Sequence, residues 1–323
     1  MRVARYVGEG RVEIIEEPAP TCPAGGLLVR TLACGLCSGE LMSWYMDRKI
    51  PHVLGHEVCG VVVESESPEF PMGAKVFPHH HAPDPDSALT RRGAAVHDPV
   101  WRATRLQPGG MADQFAVPAP NLADTIRTDD LRGVDAALIE PLACVAKAIR
   151  RLHLRGDESV AVVGLGVMGL LFMLALPSAV GCDLNPERRS WAESLGLRVC
   201  PPEDLPESEV IIVCPGTGPA LDLALARSAP DPRVCLFAPL APGEVYPLDL
   251  HGLYFRDLTL TCSYSCGPED TEVAADWIRG GLVRAEQVVS RFIALEELPG
   301  AYQEMKEGRT LKPMVIFDEG AWA

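Results

Sequence analysis

Residues 159–183 read SVAVVGLGVMGLLFMLALPSAVGCD, and the way this stretch divides decides the fold. Ser159 to Val163 is a short apolar run with the composition of a strand. It leads directly into Gly164-Leu165-Gly166-Val167-Met168-Gly169, after which Leu170 to Leu176 has helical composition without a breaker until Pro177. A second apolar run, Ser178 to Cys182, ends at Asp183, nineteen residues after Gly164. Strand, glycine-rich turn, helix and strand is the context that a dinucleotide fingerprint requires. The first glycine permits the tight turn, the second lets backbone approach a pyrophosphate, and the third lets helix pack closely on strand. Backbone N–H groups at the start of the helix, around Val167 and Met168, would face the phosphates. Asp183 is placed to accept from the hydroxyls of an adenosine ribose, which predicts NAD and not NADP.

A competing reading is a membrane span, because no residue from Ser159 to Cys182 is charged and such a length could cross a bilayer. Three glycines at fingerprint spacing and Pro177 argue instead for two strands buried in a parallel sheet and hence apolar throughout. The flanks also lack the one-sided positive cluster that orients a membrane segment.

The second signal lies upstream. Cys37-Ser38-Gly39-Glu40 is followed by Gly55-His56-Glu57, so a soft thiolate, an imidazole and a carboxylate are available to a catalytic zinc that keeps one position open. Those ligands leave the metal near neutral and still able, as a Lewis acid, to polarise an oxygen or lower the pKa of a bound hydroxyl. Taken alone, the pattern is equally that of a buried free cysteine and a histidine satisfied by its neighbours.

Around these motifs the texture of the chain changes once. From Met1 to about Val145 short apolar runs such as Leu27 to Leu32 and Cys59 to Glu64 alternate with Gly and Pro, which suits an all-β region. From Ser159 onward, the runs Val210 to Cys214, Val234 to Phe237 and Leu258 to Cys262 are separated by helical stretches such as Ala220 to Arg227, the pattern of a doubly wound parallel sheet. At 323 residues there is room for two domains. A net charge of −15 argues against nucleic-acid binding. Eleven cysteines without a disulfide-like framework suggest a reducing compartment, and Met1-Arg2-Val3-Ala4-Arg5 does not open a secretory signal, so a cytoplasmic protein is expected.

The order of Cys37, Gly55-His56-Glu57, Gly109-Gly110-Met111-Ala112, Glu140-Pro141-Leu142, the glycine fingerprint and Asp183 resembles that of the zinc-dependent medium-chain alcohol dehydrogenases, nearest the sorbitol and threonine dehydrogenase branch. Leu253-Tyr254-Phe255-Arg256-Asp257 and Ser263-Tyr264-Ser265 are similar to that branch as well. The resemblance implies an α/β protein in which a GroES-like β-rich catalytic domain, residues 1–146 and 265–323, is joined to a Rossmann nucleotide-binding domain, residues 147–264. It also implies a homo-oligomer, dimer or tetramer, with no membrane partner.

Carried over residue by residue, the resemblance makes Cys37 and His56 zinc ligands and Glu57 a direct or exchangeable one. Cys34 is left as a small buried residue. Glu140 stands where some relatives supply a further carboxylate, although an acid in the first turn of a helix beginning near Pro141 needs no metal to explain it. Glu40 replaces the usual aspartate and is expected to orient His56. Lys312 matches a basic position that contacts the cofactor pyrophosphate in relatives, or is a surface lysine.

Two departures stand out. The hydroxyl that relays the substrate proton in relatives is replaced by Gly39, with Ser38 one residue early, and the histidine that completes the relay is replaced by Met42. In the lobe after Val76, the four cysteines of a structural zinc fall on Asp84, Ser87, Thr90 and Asp98, a poor zinc set even with His97 beside it. One catalytic zinc per subunit and no structural zinc are therefore expected. His79, His80 and His81 precede the lobe. On an extended strand they cannot all face one site, so His80 touches substrate or the three are ordinary core and surface residues. Trp44 and Tyr45 are likewise pocket lining or core. The function expected is reversible NAD-linked oxidation of a secondary alcohol, such as a polyol or sugar alcohol, to a ketone. The alternatives are a zinc-free enone or quinone reductase and a non-catalytic nucleotide-binding protein.

Overall fold

The computed structural model describes all 323 residues, and the chain separates into two compact units. One comprises Met1–Ala143 with Cys266–Ala323, the other Cys144–Ser265. The first boundary falls within the helix Ile139–Leu152, a few residues earlier than the change of texture suggests.

The nucleotide-binding unit is a six-stranded sheet in which every neighbouring pair is parallel. Numbering its strands along the chain as Val160–Val163, Val180–Cys182, Val199–Cys200, Ser208–Val213, Ser228–Leu236 and Thr259–Cys262, the spatial order is 3-2-1-4-5-6. This is the doubly wound arrangement, whose strand order reverses beside the first strand, where dinucleotides bind. All four residues of Val160–Val163 are buried, as expected for a central parallel strand covered on both faces. The apolar run is thus strand, helix (Val167–Ala175) and strand, and no helix of the protein is long and apolar enough to cross a membrane.

The glycines of the turn do three different things. Gly164 has φ +89°, a left-handed conformation that disfavours side chains, and a Cβ there would also meet Pro215. A Cβ on Gly169 would collide with the Gly164 carbonyl, so the third glycine is what lets helix and strand touch. A Cβ on Gly166 would meet nothing within 4 Å.

The other unit is mainly antiparallel. Its main sheet runs Arg291–Ile293, Pro313–Ile316, Leu27–Gly35, Glu57–Ser65, Lys75–Pro78, Thr125–Arg127, with Gln114–Val117 also pairing to Leu27–Gly35. A second sheet places Arg2–Gly8 between Arg11–Glu16 and His52–Val53. Between them lies a core that includes Tyr6, Leu36, Met46, Met111, Phe115 and Tyr302, all fully buried.

Gly169→Ala should lower stability by about 1–3 kcal/mol through overpacking. Gly166→Ala, at the start of the helix, should cost less than about 1 kcal/mol. Denaturant unfolding of the two variants without nucleotide measures the difference, and equal losses would contradict the division of roles.

Candidate active site

The pairing of Leu27–Gly35 with Glu57–Ser65 sets Gly35 opposite Glu57. Because Cys37 follows Gly35 by two residues and His56 precedes Glu57, this one register delivers thiol, imidazole and carboxylate to the same place. Donor atoms of Cys37, His56 and Glu57 lie within 4.8 Å of one another. Tetrahedral zinc bound to nitrogen, oxygen and sulfur separates its ligand atoms by roughly 3.3–3.8 Å, so small side-chain movements suffice.

Each donor is held by backbone geometry or a neighbour. Cys37 starts a single 3-10 turn, Ser38–Leu41, and its Sγ accepts from Gly39 N at 3.3 Å. Glu40 on that turn points inward, accepts from Gly55 N at 2.8 Å and lies 3.3 Å from His56 Nδ1. The backbone carbonyl of Glu40 in turn accepts from the Tyr302 hydroxyl at 2.7 Å. Gly55 has φ +98°, and a Cβ on it would strike Met111 N and Cys34 Sγ. Cys34 is wholly buried and takes no part in the donor group. Burial opposes charge on His56, but Cys37 and Glu40 outweigh it and hold the imidazole pKa well above its ordinary value. Burial would raise Glu40, yet His56 and the Gly55 N–H bring its carboxyl below the ordinary range. Ser38 is exposed beside Cys37.

Lys312 is buried and not a surface lysine. Its side chain is 1% exposed and its ammonium is paired with Glu57 Oε2, while also donating to the Leu36 carbonyl at 3.2 Å. The pair needs the space that Gly35 leaves, because a Cβ there would overlap Glu57 and crowd Lys312.

Glu140 faces both donor groups. It sits in the first turn of Ile139–Leu152, its carboxylate lies within 4.8 Å of donor atoms of His79 and Cys266, and it also feels the charges of His56 and Glu57. Glu140, His79 and Cys266 are all buried, and burial raises the Glu140 carboxyl pKa. The histidine run follows the strand Lys75–Pro78, with a bend at His80, and its three side chains go to different partners. His79 Nδ1 bonds to Asp124 Oδ2 at 2.7 Å, and His81 Nδ1 to the Thr104 carbonyl. His80 turns toward the other group, its ring centroid 4.7 Å from that of His56, with Nδ1 buried and unpaired. Burial and the surrounding imidazoles push its pKa well below the ordinary value. Trp44 and Tyr45 are not core: about a third of each is exposed, at 36% and 37%.

In the lobe the four positions hold backbone. Ser87 caps Ala88–Arg91, accepting from Thr90 N, and Asp98 caps Pro99–Ala103, accepting from Val100 N and Trp101 N. Asp84 Oδ1 accepts from Asp86 N at 2.9 Å, and Asp84 N donates to Asp98 Oδ1 at 3.2 Å. The Thr90 hydroxyl meets that of Ser87 at 3.0 Å. Asp98 and Asp84 thus hold together by hydrogen bonds a segment that four thiolates would otherwise hold through a metal.

In the nucleotide-binding unit Asp183 stands at the end of the second strand, 8% exposed. Its Oδ2 accepts from Leu165 N at 2.7 Å and its Oδ1 from Asn185 N at 2.8 Å, which ties it to the glycine turn. Arg188 approaches Oδ2 at 3.7 Å, while Arg189 donates to the Asp183 and Leu184 carbonyls.

Sequence reasoning missed Cys266 altogether, since no ligand spacing surrounds it. It also missed the destination of Lys312, whose partner lies 255 residues away. Removing one member of a buried ion pair strands the other, typically at about 3–5 kcal/mol. Lys312→Met should therefore destabilise the catalytic unit by that order, and Lys312→Met/Glu57→Gln by less. Denaturant midpoints test this, and a neutral single variant would show the pair to be inconsequential.

Residues 23–126 match the family model of the alcohol dehydrogenase GroES-like domain. The chain is similar to D-altritol 5-dehydrogenase of Agrobacterium fabrum, at 28% identity over 338 residues covering 97% of this chain and 98% of that protein. Galactitol-1-phosphate dehydrogenase from Escherichia coli shares its fold, with a TM-score of 0.85 at 18% identity over 98% of this chain and 100% of that one. A protein of Escherichia coli CFT073 described as a short chain alcohol dehydrogenase, complexed with NADH, does so with a TM-score of 0.83 at 20% identity, over 98% and 99%. With its motifs in family order, a GroES-like alcohol dehydrogenase domain at residues 23–126 and a doubly wound nucleotide-binding unit, this chain resembles the medium-chain alcohol dehydrogenases along its length and is an oxidoreductase of the kind that acts on CH–OH groups.

Proposed function

We propose that this chain oxidises a secondary alcohol of a polyol or sugar alcohol reversibly to the ketone, with NAD as hydride acceptor and zinc at Cys37, His56 and Glu57. The observation that carries the reading is the convergence of those three donors within 4.8 Å. Zinc in such a set supplies a Lewis acid that makes a hydroxyl easier to deprotonate. The protein's part is orientation. Glu40 fixes which imidazole nitrogen of His56 faces Cys37, and Lys312 balances the charge of Glu57. With Gly39 and Met42 in place of relay groups, the hydroxyl of Ser38 is the one left beside Cys37 to pass a proton outward. The similarity to a D-altritol dehydrogenase supports a polyol, and the negative Asp183 at the second strand supports NAD, because it repels a 2′-phosphate.

Turnover of a panel of polyols, 3-hydroxy amino acids and simple secondary alcohols, each with NAD and NADP, tests the proposal. Oxidation of polyols with a higher kcat/KM for NAD is expected, lost in Cys37→Ala and His56→Ala while NADH still binds by fluorescence titration. Full turnover in both metal-verified variants would point to a zinc-free reductase. No turnover of any substrate would point to a binding protein. A preference for NADP would mean that Arg188 overrides Asp183.

We also propose a homo-oligomer built on the last strand of the parallel sheet, Thr259–Cys262. It is an edge strand with an unpaired side, and Val245, Leu250, Tyr254, Phe255 and Tyr264 of the same unit are all more than half exposed. Sedimentation should show an oligomer that Thr261→Pro converts to monomer, and a monomeric wild-type chain would refute this.

A further inference from the structure

His79, Glu140 and Cys266 come from three separate segments: the end of the strand Lys75–Pro78, the first turn of Ile139–Leu152, and the residue at which the chain returns to the catalytic unit. His79 and Cys266 are wholly buried and Glu140 is 5% exposed. One donor atom from each lies within 4.8 Å of the other two. We propose that these residues form a second metal site, next to the Cys37 set and suited to zinc or another borderline-soft divalent ion.

The chemistry of the donors favours an ion of this class. Thiolate, imidazole and carboxylate select zinc over calcium or magnesium, and the two anions neutralise a divalent charge, which matters at a site shielded from water. The geometry agrees. His79 Nε2 and Cys266 Sγ are 3.6 Å apart. Zinc bonds of about 2.05 Å to nitrogen and 2.3 Å to sulfur at a tetrahedral angle span roughly 3.6 Å.

The surroundings of His79 are those of a ligand held from behind. An ionised Asp124 can only accept, so its Oδ2, 2.7 Å from His79 Nδ1, favours the tautomer with the proton on Nδ1 and leaves Nε2, on the cysteine side, as the lone-pair nitrogen. A carboxylate on the far nitrogen is the usual device for fixing the tautomer and orientation of a metal-binding histidine. Asp124 is itself fixed, accepting from the Thr271 hydroxyl at 2.6 Å, and Asn121 Nδ2 donates to the carbonyls of His79 and His80 at 3.0 and 3.1 Å. Thr271 belongs to the helix Pro268–Arg279 that follows Cys266, so the segment that brings the thiol also brings the clamp on the imidazole.

The two donor groups are close neighbours. The His80 ring lies between them, 4.7 Å from that of His56 and 4.8 Å from that of His79. Each group has its own thiol and imidazole, and Glu140, which also faces His56 and Glu57, would lie between the two ions. The metal content is then two per chain, neither of them in the lobe.

The test is elemental analysis of the full chain after exhaustive dialysis, with cobalt(II) titration of metal-stripped protein alongside. Wild type should hold two zinc ions. Cys266→Ala and Cys37→Ala should hold one each, and the double variant none. Cobalt should saturate at two equivalents, and each single variant should lose half of the thiolate charge-transfer absorbance, a signal that the sulfur-free lobe cannot produce. The inference is overturned if wild type holds one ion and Cys266→Ala still holds one, which means that Cys266, His79 and Asp124 form only a hydrogen-bonded chain. If Cys266→Ala does not fold, the wild-type titration decides: saturation at one equivalent overturns the site and at two, both with thiolate absorbance, supports it. Should Cys37→Ala keep both ions, the catalytic zinc assignment fails and the second site stands.

Discussion

The pairing of Gly35 with Glu57 is the constraint on which the chemistry of the catalytic unit depends. Side chains alternate along a strand, so a slip of one residue in this register would turn Glu57 to the opposite face and carry its neighbours away from Cys37. The register is specified strongly because both strands are largely buried. Lys312 adds a lock from the adjacent strand Pro313–Ile316, itself paired to Leu27–Gly35 through Met314 and Gly35. Three strands thus meet at one glycine, and only a residue without a side chain leaves room for the ammonium and carboxylate between them.

A buried lysine–glutamate pair is a poor source of net stability, because desolvating both charges offsets their attraction. Its use here is positional. With Oε2 held by Lys312, Glu57 cannot rotate freely, and its carboxylate keeps a fixed relation to Cys37 and His56. Glu40 acts similarly on His56 through Gly55 N and Nδ1. Positioned donors lose less conformational entropy on binding a metal, which is the advantage of a second layer of charged residues around the first.

What could be read from the sequence was whatever is encoded locally. The glycine turn was legible because each glycine answers a separate backbone requirement within a few residues, and the strand order follows from alternating strands and helices. Cys37, His56 and Glu57 were legible as chemistry because two short motifs held them. The partners of Lys312 and Cys266 were not, for the opposite reason: they are set by tertiary packing across long separations, and no spacing records them. The histidine run was half legible. Strand alternation said that the three could not share a site, but which one faced His56 depended on Asp124 and Thr104 capturing the other two.

The lobe shows how a fold keeps its shape when a chemical cross-link is missing. Asp98 caps one helix and draws in Asp84, and Ser87 caps another, so the side-chain oxygens of Asp84, Ser87 and Asp98 accept from backbone N–H groups while the Thr90 hydroxyl meets that of Ser87. Such caps are worth about 1 kcal/mol each, far less than a structural zinc. Packing must supply the rest, and Trp101, 3% exposed, provides it by lying against the rings of His80 and His81. The histidine run is therefore common to both parts: it anchors the lobe through His81 and Trp101, and His80 stands beside His56. A substitution that loosens the lobe would be felt at His80 before it reached the metal ligands.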